Sequence, residues 1–215
     1  MGHYCQEAGF DGNYDVPAEG YEELYGREQY EKYELISTAL EKPIWEFKII
    51  ADVGCATGLF GEYLELMGFN GLYIGIDLLE ERLEAAKRKS RDSWMLIQAD
   101  AEHLPLRTNS VDLAACITVI HLLNVGDAIK ELVRISKGVI VVTLLKKRLD
   151  LESEILKHLN ELSAKRLTIP RIKDEIFIAY KPVSGGRRMN ALQNSVLRQH
   201  PLRGSRKRRC LPYVF

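Results

Sequence analysis

A glycine-bearing bend in residues 49–58 restricts the possible folds of this chain more than any other stretch. The segment reads IIADVGCATG, so an apolar run ends at Asp52 and a Gly-x-Ala-x-Gly turn leads into a helical pattern. Gly54 and Gly58 have no Cβ atom, and the backbone there can therefore adopt left-handed conformations and approach a ligand closely. The pattern predicts a buried strand, a tight loop under a nucleoside-sized ligand, and the start of a helix.

A dinucleotide-binding loop is one interpretation of this bend. Such a loop follows the pattern G-x-G-x-x-G, whose glycines serve the turn, the pyrophosphate and the contact between helix and strand. The corresponding places hold Gly54, Ala56 and Leu59, so the third requirement is not met. A nucleotide-dependent oxidoreductase is therefore disfavoured.

Three further apolar runs alternate with helical patterns and end at polar residues. The first of them ends at Asp77, the next is followed by Asp100, and the last, 111–117, leads into the segment TVIHLLN. Asp77 lies 19 residues after Gly58, close to the spacing at which a carboxylate at the end of a second strand accepts hydrogen bonds from ribose hydroxyls. The alternation predicts a mostly parallel sheet with ligand sites at the carboxyl ends of its strands.

The register from Asp52 to Gly58, D-x-G-x-[GA]-x-G, resembles motif I of the class I S-adenosylmethionine-dependent methyltransferases. The segments QADAEHLPL and TVIHLLN, after the third and fourth runs, resemble later motifs of the same family, the second of them motif IV. Ala56 replaces the commoner middle glycine and leaves slightly less room. The resemblance covers residues 45–182 and is greatest to the type 11 group, which includes quinone-biosynthesis methyltransferases.

The resemblance implies one α/β domain with a Rossmann-like, doubly wound, mostly parallel seven-stranded sheet that ends in an antiparallel C-terminal hairpin. It also implies S-adenosylmethionine as cofactor, S-adenosylhomocysteine as product, and no metal. The implied cofactor-binding residues follow the strand ends and are Asp52, Gly54, Cys55, Ala56, Gly58, Asp77, Leu78, Asp100, Ala101 and Ile117. Asp52 and the bend would hold the methionine end and Asp77 the ribose, while Asp100 and Ala101 would lie against the adenine. Each acid also has a structural interpretation, as a turn cap, a helix N-terminal acid or a loop residue.

His121 and three tyrosines are candidates for the acceptor side. His121 follows the fourth run, where the family's substrate loop approaches the methyl group, and an imidazole with a pKa of about 6.5 could act as a catalytic base. A buried structural histidine is the alternative. Tyr21, Tyr25 and Tyr30 lie on a predicted N-terminal helix that would cap the cofactor pocket, where one of these rings could reach the ligand or the substrate. Family members use such a helix as a lid. Packing of these rings against the sheet is the alternative.

The length of 215 residues, with 46% hydrophobic and 28% charged residues, predicts one globular domain. Residues 1–20 are predicted as a flexible lead-in, and residues 21–182 as the domain with its N-terminal cap helix. The end of this domain predicts a helix over 150–163 and a hairpin of strands over 167–169 and 175–180.

Residues 183–215 are predicted as a basic, disordered tail. They contain eight arginines and lysines and no acid, so the formal net charge of zero divides into +8 for the tail and −8 for the first 182 residues. Such a tail could bind the phosphates of RNA through counterion release. A solvated tail without a role in activity is the alternative.

The chain has no apolar run of 18 residues, and its N-terminus MGHYCQEAGF lacks the pattern of a secretory signal. Its four cysteines are scattered without a C-x-x-C pair, which argues against structural zinc and against a disulfide framework. Both observations predict a cytoplasmic protein.

The sequence therefore predicts a methyltransferase that acts on a small-molecule acceptor. An RNA or protein acceptor, with an activator subunit of the kind that some relatives need, is the alternative within this class. A non-catalytic module that holds S-adenosylmethionine is the alternative from another class. Loss of a cofactor acid would favour that module, whereas Asp52, Asp77 and Asp100 are all present.

Overall fold

The computed structural model describes residues 18–182 of the chain. Seven strands form one sheet: β1 (Ile49–Val53), β2 (Leu72–Asp77), β3 (Trp94–Gln98), β4 (Val111–Cys116), β5 (Ser136–Leu145), β6 (Ser163–Thr168) and β7 (Asp174–Tyr180). Their order across the sheet is β3-β2-β1-β4-β5-β7-β6. Strands β1 to β5 are parallel, and β7 is antiparallel to β5 and to β6. The predicted doubly wound, mostly parallel seven-stranded sheet with its antiparallel C-terminal hairpin is confirmed.

Helices cover both faces of this sheet. The α-helices within residues 18–182 are α1 (Ala18–Ala39), α2 (Leu59–Leu66), α3 (Glu80–Lys89), α4 (Val125–Ile135) and α5 (Glu152–Leu159), and short 3-10 helices span Ile44–Glu46, Ile120–Leu122 and Lys146–Leu151. On one face, Ile36 of α1 and Phe60 of α2 pack with Tyr73 of the sheet. On the other face, Ile129 of α4 and Ile155 of α5 belong to a second buried cluster. The fold is therefore a three-layer α/β/α arrangement, as alternating strands and helices require.

The hairpin at the end of the sheet differs from the sequence prediction. The predicted helix over 150–163 is too long, because α5 ends at Leu159 and β6 already begins at Ser163. Apolar residues continue at helical spacing as far as Leu162, but β6 pairs with β7 from Ser163 to Thr168. The backbone hydrogen bonds that this pairing gives to β7 outweigh the local helical pattern.

The strand order places a crevice at one edge of the sheet. The order reverses between β1 and β4, which are neighbours in the sheet although two strands separate them in the chain. In doubly wound sheets the loops diverge at this point, and ligands bind beyond the carboxyl ends of the strands.

No helix within residues 18–182 is long and apolar enough to cross a membrane. The basic tail, residues 183–215, and most of the lead-in lie outside the described residues.

Candidate active site

The bend after β1 is held against β2 by backbone hydrogen bonds. The amides of Gly54 and Cys55 both donate to the carbonyl oxygen of Ile76, at 2.7 and 2.9 Å. Gly54 has φ +78° and lies against Val119, whose Cγ2 atom would be only 2.5 Å from an added Cβ. A side chain cannot be added at Gly54 without moving this neighbour, so the glycine is required by both conformation and space.

Asp77 connects the bend to the start of α3. Its Oδ2 atom accepts a hydrogen bond from the amide of Ala56 at 2.9 Å, and its Oδ1 atom accepts one from the amide of Leu79 at 3.0 Å. Burial raises the pKa of this carboxyl group, although the two amides act in the opposite direction. Each carboxylate oxygen has a second lone-pair site, so Asp77 can still accept hydrogen bonds from a ligand.

The ends of β1, β2, β3 and β4 surround one cleft. Six of the sequence-predicted cofactor residues line it: Gly54, Ala56, Asp77, Leu78, Asp100 and Ala101. Sequence reasoning did not select the apolar wall formed by Leu79, Val119, Leu122 and Leu123, nor Arg82 and Thr118. The cleft therefore combines a few polar groups with an apolar wall, as small-molecule sites usually do.

Asp100 lies at the rim of this cleft. Its side chain is half-exposed, and its Oδ1 atom accepts a hydrogen bond from the amide of Glu102 at 2.9 Å. Its Oδ2 atom lies 3.4 Å from Nδ1 of His103. The carboxylate is thus oriented by its own loop and remains accessible from the cleft.

The other four predicted cofactor residues, Asp52, Cys55, Gly58 and Ile117, do not line the cleft. Asp52 is buried, and its Oδ2 atom accepts a hydrogen bond from the hydroxyl of Tyr73 at 2.7 Å. Burial raises the pKa of Asp52 to about 7, against the effect of that hydrogen bond. Gly58 has φ +79° and lies under Trp94, so its role in the fold is to let β3 and α2 approach.

Thr118 stands at the centre of a buried polar network that sequence reasoning missed. Its Oγ1 atom accepts a hydrogen bond from Nζ of Lys32 at 2.6 Å and donates one to Oδ2 of Asp174 at 3.1 Å. Lys32 and Asp174 form a fully buried ion pair at 2.9 Å, and the hydroxyl of Thr143 donates to the same carboxylate oxygen. Thr118 itself has φ +62°, a conformation that threonine rarely adopts. The sequence does contain one indication of this network, because Lys32 falls on the apolar face of α1, four residues before Ile36. A lysine on a buried face needs a buried partner.

A second cavity also borders Thr118. It extends from α1 to the loop between β6 and β7, and its walls are Tyr25, Glu28, Gln29, Thr118, Leu145, Lys146, Lys147, Pro170, Arg171, Ile172 and Lys173. Thr118 also lines the first cleft, so the two cavities share this residue as a wall.

The predicted acceptor residues have different positions. His121 lies buried in the 3-10 helix Ile120–Leu122 and lines neither cavity. Burial lowers its pKa to about 4, so the imidazole is neutral at pH 7. Tyr25 lines the second cavity, whereas Tyr30 packs against Tyr63 with ring centroids 5.9 Å apart. Tyr21 belongs to α1, but its side chain lies outside the described part of the chain.

Residues 18–182 contain no cluster of three or more His, Cys, Asp or Glu side chains placed to hold a metal ion.

Sequence comparison connects the cleft with methyltransferases. The family model described as "Methyltransferase domain" matches residues 51–142, which include the bend, Asp77 and Asp100. A malonyl-[acyl-carrier protein] O-methyltransferase of Legionella pneumophila is 35% identical over 89 residues, which cover 40% of this chain and 31% of that protein. Uncharacterized protein MJ0638 of Methanocaldococcus jannaschii is 34% identical over 129 residues, 57% of this chain and 52% of that protein. The chain therefore spans about half or less of the length of these curated relatives.

Solved structures share the fold at low sequence identity. A SAM-dependent methyltransferase from Aquifex aeolicus aligns with a TM-score of 0.60 at 18% identity, over 77% of this chain and 98% of that chain. A putative methyltransferase of Haloferax volcanii, solved in complex with the Trm112 methyltransferase activator, aligns with a TM-score of 0.61 at 14% identity, over 79% of this chain and 95% of the matched chain.

Proposed function

We propose that this chain is a class I S-adenosylmethionine-dependent methyltransferase and that it transfers the methyl group of that cofactor to a small-molecule acceptor. The observation that carries the proposal is the convergence of four strand ends on one cleft, where the glycine bend, Asp77 and Asp100 meet. The product would be S-adenosylhomocysteine. The name of the Legionella relative supports methyl transfer as the reaction.

The residues of the cleft fit this cofactor. The free lone pairs of Asp77 can accept both ribose hydroxyls, and Asp100 with Ala101 can border the adenine at the rim. Leu78, Leu79 and Leu122 supply apolar surface for the flat base. Asp52 does not line the cleft, because its side chain is buried and hydrogen-bonded to Tyr73.

Methyl transfer from this cofactor requires little from the protein beyond correct positioning of the acceptor. The cofactor supplies a methyl group on a positively charged sulfur, which is a good leaving group. The protein has to hold the acceptor in line with the methyl group and exclude water, and such orientation contributes up to about 7 to 11 kcal/mol. Thr118, just beyond the end of β4, borders both cavities, which supports an approach of the acceptor from the second cavity.

The second candidate is an RNA acceptor, which the charge of +8 on residues 183–215 favours. An activator subunit would be a further partner, as in the Haloferax complex. A cytoplasmic location completes the proposal, supported by four scattered cysteines without a disulfide pattern.

Incubation of the full chain with methyl-tritiated S-adenosylmethionine and a cell extract tests the proposal. We expect label in the small-molecule fraction, and much less label with the Asp77→Ala variant. Label in RNA that disappears at high salt and on truncation after Pro182 would support the second candidate instead. If the chain binds the cofactor but no fraction becomes labelled, methyl transfer is contradicted. The chain would then be a non-catalytic module that binds the cofactor.

A further inference from the structure

We infer that a buried network of Lys32, Thr143 and Asp174 positions the amino-acid end of the cofactor. The network holds Thr118 in a strained backbone conformation, and it thereby keeps the neighbouring Val119 over the glycine bend. The inference rests on the proposed function and adds positioning residues that lie outside the cofactor cleft. Two observations carry it, namely the backbone conformation of Thr118 with its buried hydrogen bonds and the contact between the next residue and the bend.

Thr118 has a backbone conformation that a β-branched residue does not adopt without support. Its φ of +62° lies in the left-handed region, where the Cβ atom of an L-residue comes too close to the following carbonyl oxygen. Such a value is an outlier for threonine, and outliers of this kind persist only where the surrounding structure holds them. They cluster at active sites and ligand clamps. In this chain the outlier falls just beyond the end of β4, on the wall of the cofactor cleft.

Three elements of the fold hold Thr118 in this conformation. The hydroxyl of Thr118 accepts a hydrogen bond from Lys32 of α1 at 2.6 Å and donates one to Asp174 of β7 at 3.1 Å. The amide of Thr118 donates to the hydroxyl oxygen of Thr143 of β5 at 2.8 Å. Lys32 and Thr143 are also joined to each other through Asp174, at 2.9 and 2.7 Å. All four side chains are buried, so hydrogen bonds fix both the side chain and the backbone of Thr118.

Val119 transmits this fixed geometry to the bend. It follows Thr118 directly and lines the cleft, and its Cγ2 and Cγ1 atoms would lie 2.5 and 2.8 Å from a Cβ atom added to Gly54. A rotation of the backbone at Thr118 would therefore move Val119 relative to the bend. In the proposed function Asp77 holds the ribose and Asp100 borders the adenine. The space beside Gly54 and Val119 is then left for the amino-acid end.

The inference separates two ligands that share the adenosine group. S-adenosylhomocysteine has the amino-acid end and needs the bend in place, whereas adenosine needs only the ribose and adenine positions. Loss of the network should therefore weaken the binding of S-adenosylhomocysteine and leave the binding of adenosine unchanged. A network that only stabilised the fold would affect both ligands alike, because it would change only the amount of folded protein.

Isothermal titration of variants of the full chain with these two ligands tests the inference. Lys32→Met is expected to bind S-adenosylhomocysteine about 3- to 30-fold more weakly, the range for residues that act without touching a ligand. The double variant with Lys32→Met and Asp174→Leu no longer has an unpaired buried charge, so its stability should recover. Its Thr118 hydroxyl still lacks both partners, and its affinity for S-adenosylhomocysteine should stay low. The double variant thus supplies the test even if Lys32→Met alone does not fold.

Glu31→Gln is the matched control on the same helix. Glu31 precedes Lys32 on α1, lines neither cavity, and contacts Arg171, in the loop before β7, at 4.0 Å on the surface. This variant weakens an exposed contact between α1 and the hairpin without touching Thr118, and both ligands should bind it as they bind wild type.

Two substitutions of Thr118 separate its hydroxyl from its shape. Thr118→Val removes the hydroxyl and should weaken the binding of S-adenosylhomocysteine as Lys32→Met does, whereas Thr118→Ser keeps the hydroxyl and should retain most of the affinity. The inference is overturned if affinity recovers together with stability in the double variant. It is also overturned if both ligands lose affinity equally, or if Glu31→Gln has the same effect as Lys32→Met. Failure of the wild type to bind S-adenosylhomocysteine would instead refute the proposed function.

Discussion

Replacement of Asp52 by asparagine tests whether this buried carboxyl group is protonated in the folded protein. Burial raises the pKa of Asp52 from its ordinary value of 3.8 to about 7, so the folded protein keeps this carboxyl group protonated where the unfolded chain has lost the proton. The contribution of Asp52 to stability is therefore complete below pH 4 and is lost as the pH rises toward 7. At about 1.4 kcal/mol per pH unit, the loss over this window is on the order of 4 kcal/mol. Asparagine cannot ionise, and the Asp52→Asn variant should not lose this stability.

Urea denaturation at several pH values between 4 and 7.5, followed by tryptophan fluorescence, measures this effect. Trp94 is a suitable probe because its ring lies 4.7 Å from that of Tyr73, the partner of Asp52. The quantity to compare is the difference in unfolding free energy between variant and wild type, since other groups such as His121 titrate equally in both. Tyr73→Phe removes the hydrogen bond that favours the ionised form of Asp52 and so raises the pKa of Asp52 further. The loss of stability with rising pH should therefore extend to higher pH. If the difference in unfolding free energy between Asp52→Asn and wild type stays constant from pH 4 to 7, Asp52 is not protonated in the folded protein as described.

Two further substitutions test the packing around the bend and the buried ion pair. Gly58→Ala should lower the unfolding free energy by about 2 to 5 kcal/mol, because its Cβ would lie 2.7 Å from Cζ3 of Trp94 at φ +79°. Gly68→Ala, at φ +84° with open space around the new atom, should lose only about 1 to 2 kcal/mol, and equal losses in urea denaturation would contradict this account. Lys32→Met leaves the charge of Asp174 buried without its cation and should cost about 3 to 5 kcal/mol. Adding Asp174→Leu should recover at least half of that loss in thermal unfolding, and a double variant as unstable as the single one would speak against the pair.

The sequence was sufficient to predict the sheet and the side of the molecule that carries the cleft. Parallel strands bring their carboxyl ends to the same edge, so residues that follow such strands meet in space even when they are far apart in the chain. Gly54, Asp77 and Asp100 follow three different strands and line one cleft for this reason. The family model described as "Methyltransferase domain" matches the segment that contains these residues, 51–142.

The remaining features depend on contacts that no local pattern reports. The hydrogen bond of Asp52 comes from Tyr73 on the neighbouring strand, and the strand register determines it. The network around Thr118 depends on Asp174, which begins the last strand of the described chain. The end of α5 was predicted too late because the apolar spacing continues through Leu162, where strand pairing is the stronger effect.

Isothermal titration of the full chain with S-adenosylhomocysteine and with NAD tests the central claim most directly. Asp77→Ala removes the carboxylate that meets both the bend and the predicted ribose position, and Glu84→Ala removes an exposed carboxylate on the same α3 helix as a control. The account predicts that S-adenosylhomocysteine binds wild type and Glu84→Ala equally, that it binds Asp77→Ala at least about 10-fold more weakly, and that NAD does not bind. Tight binding of NAD, or unchanged affinity of a folded Asp77→Ala variant for S-adenosylhomocysteine, would contradict it.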